Sequence, residues 1–168
     1  LLDGRDTPPQ SSQKFLHQLE DHIKNIPEAH ISSLCGRFYA MDRNKEWNRT
    51  KRAYDMLTTP QPIEFKSWKE VLKYYYNQNV TDEFIPPTQL THDGIVHQKD
   101  GVLFFNYRPD RARQLTAAFI QPKFTAFKHT KLTLAFFITP TIYDATLPTQ
   151  HLLNKNEIKN TLMEALYQ

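Results

Sequence analysis

Glycine is scarce in this chain: four residues in 168, against eleven prolines. Four glycines cannot build the Gly-rich loops that cradle phosphates in dinucleotide-binding or P-loop proteins, and neither spacing occurs. Cysteine occurs once, as Cys35, which excludes an internal disulfide framework and suits a reducing compartment. No apolar run approaches the roughly 20 residues that a bilayer span needs. The longest near-continuous one, Leu132 to Ile138, has the length of a buried strand. The seven histidines include no pair at metal-ligand spacing and no cysteine partner set, so no metal site is expected within this chain. Net charge is small as well: a formal +3 does not demand a nucleic-acid partner.

What is present is enough for a core. Hydrophobic residues make up 39% of the chain and charged residues 23%, and the length suits one ordinary domain. A soluble, cytoplasmic, single domain is the first expectation. The opening residues, Leu1 to Asp6, read as a strand running into a charged turn as if cut, which suggests a piece of something longer.

Apolar periodicity divides the chain. Ser11 or Ser12 is expected to cap a helix carrying Phe15, Leu16, Leu19, Ile23 and Ile26, which Pro27 ends. His30 to Cys35 reads as a short strand and Asn44 to Leu57 as a helix. Ser67-Trp68-Lys69-Glu70 is a capping box ahead of Trp68, Val71, Leu72 and Tyr75 at helical spacing. Thr81 to Thr91, with Pro86-Pro87, is irregular. Gly94 to Val96 and Val102 to Arg108 are expected to pair as a hairpin about Lys99-Asp100-Gly101. Pro109 would open a helix reaching Ile120. Leu132 to Ile138 reads as a strand, and Asn156 to Tyr167 as a closing helix. Strands alternating with helices predict an α/β fold, a mixed β-sheet flanked by helices.

Three turns share one feature: an apolar strand runs into arginine. They are Gly4-Arg5-Asp6, Gly36-Arg37 through Asp42-Arg43, and Arg108-Pro109-Asp110-Arg111. Five of the eight arginines lie there. In α/β sheets, ligands gather beyond the strand ends, so turns on neighbouring strands would face one site. A guanidinium is a rigid planar fork that pairs bidentately with carboxylate or phosphate. With a helix N-terminus beside Arg108 and Arg111, the set makes a cradle for a small phosphorylated acid. Taken singly, arginine beside aspartate in a turn is an ordinary surface ion pair worth roughly 0 to 1 kcal/mol. Cys35 reads as a small buried apolar side chain rather than a reactive thiol, and Tyr74-Tyr75-Tyr76 as core plus one exposed ring.

Longer motifs then point to a family. Leu2-Asp3-Gly4-Arg5-Asp6-Thr7-Pro8-Pro9, Gly36-Arg37-Phe38-Tyr39-Ala40-Met41-Asp42-Arg43 with Trp47, Thr81-Asp82-Glu83-Phe84-Ile85-Pro86-Pro87, and Phe104-Phe105-Asn106-Tyr107-Arg108-Pro109-Asp110-Arg111-Ala112-Arg113-Gln114 together resemble cofactor-independent phosphoglycerate mutase. The likeness runs from Leu1 to about Ile138 and resumes at Ile158-Lys159-Asn160-Thr161-Leu162. It implies an enzyme interconverting 3-phosphoglycerate and 2-phosphoglycerate in glycolysis. In that family a phosphatase-like domain holds two manganese ions and a serine that is transiently phosphorylated. A second, inserted domain grips the glycerate. Residues 1–168 resemble that substrate-binding, phosphotransferase domain alone, with the metal-binding domain absent.

By the same resemblance, Arg5, Asp6, Arg37, Arg43, Arg108 and Arg111 match substrate-binding positions, and Asp6 matches the group that passes a proton to or from the glycerate hydroxyls. The family's serine nucleophile, its Asp/His metal ligands, its lysine and a histidine-containing motif ahead of the first turn have no counterpart here. The implied partners are phosphoglycerate and the phosphatase-like domain, with no nucleic acid and no membrane, in a monomer. The fragment by itself is expected to be inactive, and Leu1 and Gln168 to lie on the same side of the fold. The alternatives are a stand-alone phosphate- or carboxylate-binding module and, from another class, a nucleic-acid-binding domain.

Overall fold

The structure is a computed structural model, and it describes residues 1–153 and 166. Element order is α1 (Ser12–Ile23), β1 (Ser33–Leu34), α2 (Arg37–Ala40), α3 (Trp47–Thr58), α4 (Trp68–Tyr76), a 3₁₀ turn (Asp82–Phe84), β2 (Thr88–Gln89), β3 (Gly101–Leu103), α5 (Arg113–Ile120), β4 (Phe136–Thr139) and β5 (Gln150–His151). The fold is mixed α/β, as the alternation of periods predicts. The expected helix over Asn156–Tyr167, the second stretch of family likeness and the position of Gln168 fall outside the described residues.

Two hydrophobic cores lie on either side of β1, because successive strand residues point to opposite faces. Leu34 joins Leu2, Leu16, Trp68, Val71, Leu72 and Ile85 under α1 and α4. Cys35 joins Ala53, Tyr54, Met56, Leu115, Phe119 and Phe137 between α3, α5 and β4. Burial pushes the Cys35 thiol up to about 12, so it behaves as the small apolar side chain expected. Of the three consecutive tyrosines only Tyr74 is exposed; Tyr75 packs on the first core, and the Tyr76 hydroxyl donates to buried Asp82.

The Ser67 cap forms, Ser67 Oγ accepting from the Glu70 N–H at 3.3 Å, but the return bond of the box shifts by one residue, Glu70 Oε2 accepting from the Lys66 N–H at 2.9 Å. The first helix departs from expectation at both ends. It stops at Ile23, ahead of Pro27, and no serine side chain caps it. The cap arrives from 70 residues away: Asp82 Oδ2 accepts from the Ser11 and Ser12 N–H groups at 2.9 and 3.0 Å. A carboxylate at a helix N-terminus also suits the dipole, so the site takes a stronger acceptor than serine.

The expected hairpin does not form. Gly94–Val96 is not a strand; its Val96 N–H donates to the Leu57 carbonyl at the end of α3. β3 pairs instead in parallel with β4, and β4 in parallel with β5. Gly101 and Phe136 are partners in this register, and the Phe136 ring lies over the glycine where a Cβ would stand 2.0 Å from it. With α5 between them, β3 and β4 make a parallel crossover unit. β1 and β2 form a separate antiparallel pair.

The arginine turns are set by close backbone approach. Leu2 bridges Gly36 in parallel, its N–H donating to the Cys35 carbonyl and its carbonyl accepting from the Arg37 N–H, at 2.8 and 2.9 Å. A Cβ on Gly36 would stand 2.3 Å from the Glu83 carbonyl oxygen, so only glycine fits. Gly4 also abuts this segment, and its φ of +66° is one that L side chains avoid. Asp3 to Asp6, Arg37 and Glu83 are thereby brought into one corner.

Candidate functional site

Two adjoining clefts lie at this corner. The larger, about 550 Å³, is lined by Asp3, Asp6, Arg37, Asn106, Arg108 and Arg111, with Leu103 to Phe105 forming an apolar wall. The smaller, about 310 Å³, is lined by Arg5, Arg37, Phe38, Arg43, Arg49, Glu83, Phe84 and Arg111 among others. Arg37 and Arg111 line both. All six residues singled out from the sequence therefore border this pair of clefts, although they span more than a hundred positions.

Each arginine is held differently. Arg37 opens the short helix α2 and is buried; one guanidinium nitrogen donates to Asp3 at 2.5 Å and to Asp6 at 2.8 Å. Burial works against its charge, but the carboxylates of Asp6 and Asp3 outweigh it and raise its pKa. Its Nε is buried with no acceptor among the described residues. Arg43 and Arg108 share a carboxylate: Asp110 accepts from Arg43 at 2.6 Å and from Arg108 Nε at 2.7 Å. Burial opposes ionisation of Asp110, and the two guanidinium groups overcome it, so its pKa is lowered. Arg5 reaches Glu83 at 3.5 Å.

Arg111 has no carboxylate partner among the described residues. Its Nη1 donates to the Met41 carbonyl at 3.2 Å. Desolvation, then the neighbouring charges of Arg37, Arg43 and Arg5, lower its pKa. With three guanidinium groups against it, only Asp110 in its favour and a carbonyl as its bonded partner among the described residues, Arg111 keeps a local excess of positive potential. An anion entering either cleft meets it.

One expectation about this region is corrected. Pro109 does not open a helix: α5 begins at Arg113, and Arg108 to Ala112 form turns. Side-chain bonds tighten that stretch away from helix. Asn106 Nδ2 donates to the Arg108 carbonyl at 2.6 Å, and the Arg108 side chain folds back on Asp110. The helix N-terminus expected beside Arg108 therefore lies further along, at Arg113.

Sequence reasoning about arginine turns does not single out their carboxylates. Asp3, Asp110 and Glu83 complete the site by pairing with Arg37, with Arg43 and Arg108, and with Arg5. All three stand within the quoted motifs, and the signal for Asp3 and Asp110 was opposite charge close to an arginine in sequence. Tyr143 has no such signal. Buried at the far side, its hydroxyl donates to the Phe104 carbonyl at 2.9 Å and accepts from the Asn106 N–H at 3.2 Å, bracing the wall of the larger cleft. Burial pushes its phenol up to about 12, so it stays a neutral donor.

An α/β domain that gathers arginines in ion pairs around a small double cleft presents a corner that attracts anions. Its sequence says which: the chain belongs to the family described as BPG-independent PGAM N-terminus, whose model matches residues 1–145. It is 45% identical over 162 residues to a 2,3-bisphosphoglycerate-independent phosphoglycerate mutase of Synechococcus sp. (strain JA-2-3B'a(2-13)), which covers 96% of this chain and 30% of that protein. The similarly named protein of Legionella pneumophila (strain Philadelphia 1) is 42% identical over 168 residues, covering 99% of this chain and 33% of its own length. A crystal structure of Leishmania mexicana phosphoglycerate mutase at low cobalt concentration superposes with a TM-score of 0.83 at 27% identity, over 98% of this chain and 33% of that one. The chain spans about a third of the length of the curated relatives it matches.

Proposed function

We propose that residues 1–168 are the substrate-gripping, phosphotransferase domain of a glycolytic, cytoplasmic 2,3-bisphosphoglycerate-independent phosphoglycerate mutase. The observation that carries this reading is the seam of the two clefts. There Arg37, braced by Asp3 and Asp6, stands beside carboxylate-free Arg111, with Arg5, Arg43 and Arg108 around them. Several guanidinium groups suit a ligand with about −2 on a phosphate and −1 on a carboxylate. The unpaired Nε of Arg37 supports it too, because an orphaned buried donor calls for a partner.

In this reading the arginines hold the carboxylate of the glycerate and screen the moving phosphoryl group, stabilising charge as such transfers require. The phosphoryl group leaves one glycerate oxygen for a serine oxygen on the phosphatase-like domain, then returns to the neighbouring glycerate oxygen. Asp6, a carboxylate at the open side of the larger cleft, takes the proton of the hydroxyl that is to be phosphorylated and passes it to the oxygen that the phosphoryl group has left. Retention of the glycerate between the two transfers makes the outcome an isomerisation rather than a hydrolysis.

The manganese ions that the resemblance implies are assigned to the phosphatase-like domain. The described residues contain no group of three His, Cys, Asp or Glu able to hold a metal, and no step above runs through one on this chain. The domain works as a monomer with that partner domain.

Calorimetric titration of the 168-residue chain with 3-phosphoglycerate, beside a coupled mutase assay, tests the proposal. Saturable binding weaker than micromolar and abolished by Arg111→Ala is expected, with no turnover. Turnover by this chain overturns its inactivity alone; absence of saturable binding overturns the gripping role.

A further inference from the structure

Three ties hold the loop bearing Arg43 against the turn bearing Arg108 and Arg111. Two are made by the arginines themselves, Arg43 to Asp110 at 2.6 Å and Arg111 to the Met41 carbonyl at 3.2 Å. Both can loosen when those guanidinium groups turn to a ligand. The third is Gln114 on α5, and it uses no arginine. Its Oε1 accepts from the Lys45 N–H at 2.8 Å, and its Nε2 donates to Asp42 Oδ2 at 2.8 Å and to Thr50 Oγ1 at 3.0 Å. Asp42 Oδ2 in turn accepts from the Asn44 and Glu46 N–H groups at 3.1 and 2.9 Å, which winds the loop around one buried carboxylate oxygen.

We propose that Gln114 is the positioning residue of the arginine clefts, keeping Arg43 in register with Arg108 and Arg111 while their own ion pairs open to admit an anion. This deepens the proposed function and rests on it for the identity of the anion. Gln114, Asp42 and Thr50 are buried, and both N–H groups and the carbonyl of the amide are engaged, so the joint has one arrangement. The loop needs such a clamp. Lys45 adopts φ +65°, an unfavourable region for a lysine, and its N–H is the group that Gln114 holds. An aliphatic side chain of equal length would fill the same space and release that strain, letting residues 42–46 relax and carry Arg43 with them.

The test uses the 168-residue chain and its Gln114→Met, Arg43→Ala and combined variants, with circular dichroism and thermal melting to establish folding. The first readout needs no ligand: arginine Nε–Hε NMR signals. Gln114→Met should shift the Arg43 and Arg108 signals and leave that of Arg5 in place, because Arg5 hangs on the other turn. The second is calorimetric affinity for 3-phosphoglycerate, expected to fall about tenfold, equivalent to about 1.4 kcal/mol. Adding Arg43→Ala to Gln114→Met should then weaken binding less than Arg43→Ala does in the parent chain, the non-additivity of groups acting together. A residue that merely stabilised the fold would lower the melting temperature and leave both readouts unchanged below it. That result overturns the proposal. If Gln114→Met does not fold, Gln114→Glu, which keeps the shape and the acceptor but not the donors, is read in the same way. Should the parent chain bind no phosphoglycerate, the reading of the substrate fails by itself, and the arginine signals still decide the role of Gln114.

Discussion

The clefts contain the same chemistry built twice, once in the interior and once in water. At the inner corner, the Arg37 side chain is 7% exposed and pairs with Asp3 and Asp6. At the outer corner, Arg108 is 69% exposed and shares Asp110 with Arg43, itself about half exposed. Distances are alike, between 2.5 and 2.8 Å, yet the consequences differ. A charge withdrawn from water depends on its partner, whereas two exposed charges gain little by meeting. The inner pair is part of the architecture, with Gly36 pressed on Glu83 and Leu2 bridged to Gly36 immediately beside it. The outer pair is an exposed arrangement, free to exchange partners with water or ions. A site that must be rigid and yet admit an anion can assign these demands to different arginines.

Replacing Arg37 should give the largest effect. Arg37→Met keeps length and bulk but leaves Asp3 and Asp6 facing each other without a cation. Breaking a fully buried pair costs about 3–5 kcal/mol, and the open side of Asp6, 72% exposed, reduces that to about 2 kcal/mol. At this chain length the melting temperature should fall by about 4–8 °C. Arg108→Met, the same change at the outer corner, should leave it within about 2 °C. Equal losses in the two variants would erase the distinction drawn above.

How far these corners are visible in the sequence follows from the range of the forces involved. Local signals are legible: the Ser67 cap, the 3.6-residue stripe of α4, a strand before Gly36 that shrinks to Ser33–Leu34, and the segments where arginine follows an apolar stretch, of which Arg37 opens a helix rather than a turn. Contacts between distant segments decide the rest. The α1 cap comes from Asp82, the partner of β3 is β4 with the Phe136 ring over Gly101, and α5 starts only at Arg113, after a stretch held by Asn106 and Asp110. The arginines could be found because five of the eight fall in three such segments, although one arginine beside an aspartate would be ordinary. Their carboxylate partners could be suspected only by charge, and Tyr143 not at all, since a tyrosine near the end of an apolar stretch says nothing of the carbonyls its hydroxyl will meet.

A smaller effect sharpens the inner corner through pH. Burial opposes ionisation of Asp3, but the Arg37 guanidinium and the N–H groups of Asp6 and Arg5 overcome it and hold the Asp3 carboxyl below its ordinary value. A carboxyl with a depressed folded pKa binds fewer protons folded than unfolded. Its contribution is therefore complete above the unfolded value, about 3.9, and fades as pH falls through the lower folded one. Thermal melts of the parent chain and of Asp3→Asn should differ most near neutrality and converge below about pH 4. In the Arg37→Met background the gap should narrow at every pH, because the principal partner is gone. A constant gap between pH 7 and pH 3 would show that Asp3 acts through shape and not through charge.

The smallest expected effect belongs to Asp110, and its smallness is the point. Asp110→Asn removes the charge that Arg43 and Arg108 share while keeping a side-chain carbonyl able to accept from one of them. Both arginines can turn to water, so the stability change should stay within about 0.5 kcal/mol, inside the range of exposed pairs. The ion pair is also screened by salt, so raising ionic strength should shrink even that difference, whereas the loss in Arg37→Met should persist. Melting curves of both variants at low and high salt measure this directly. A salt-resistant loss at Asp110 equal to that at Arg37 would mean that the outer corner is as fixed as the inner one, and that an incoming anion must break structure rather than exchange partners.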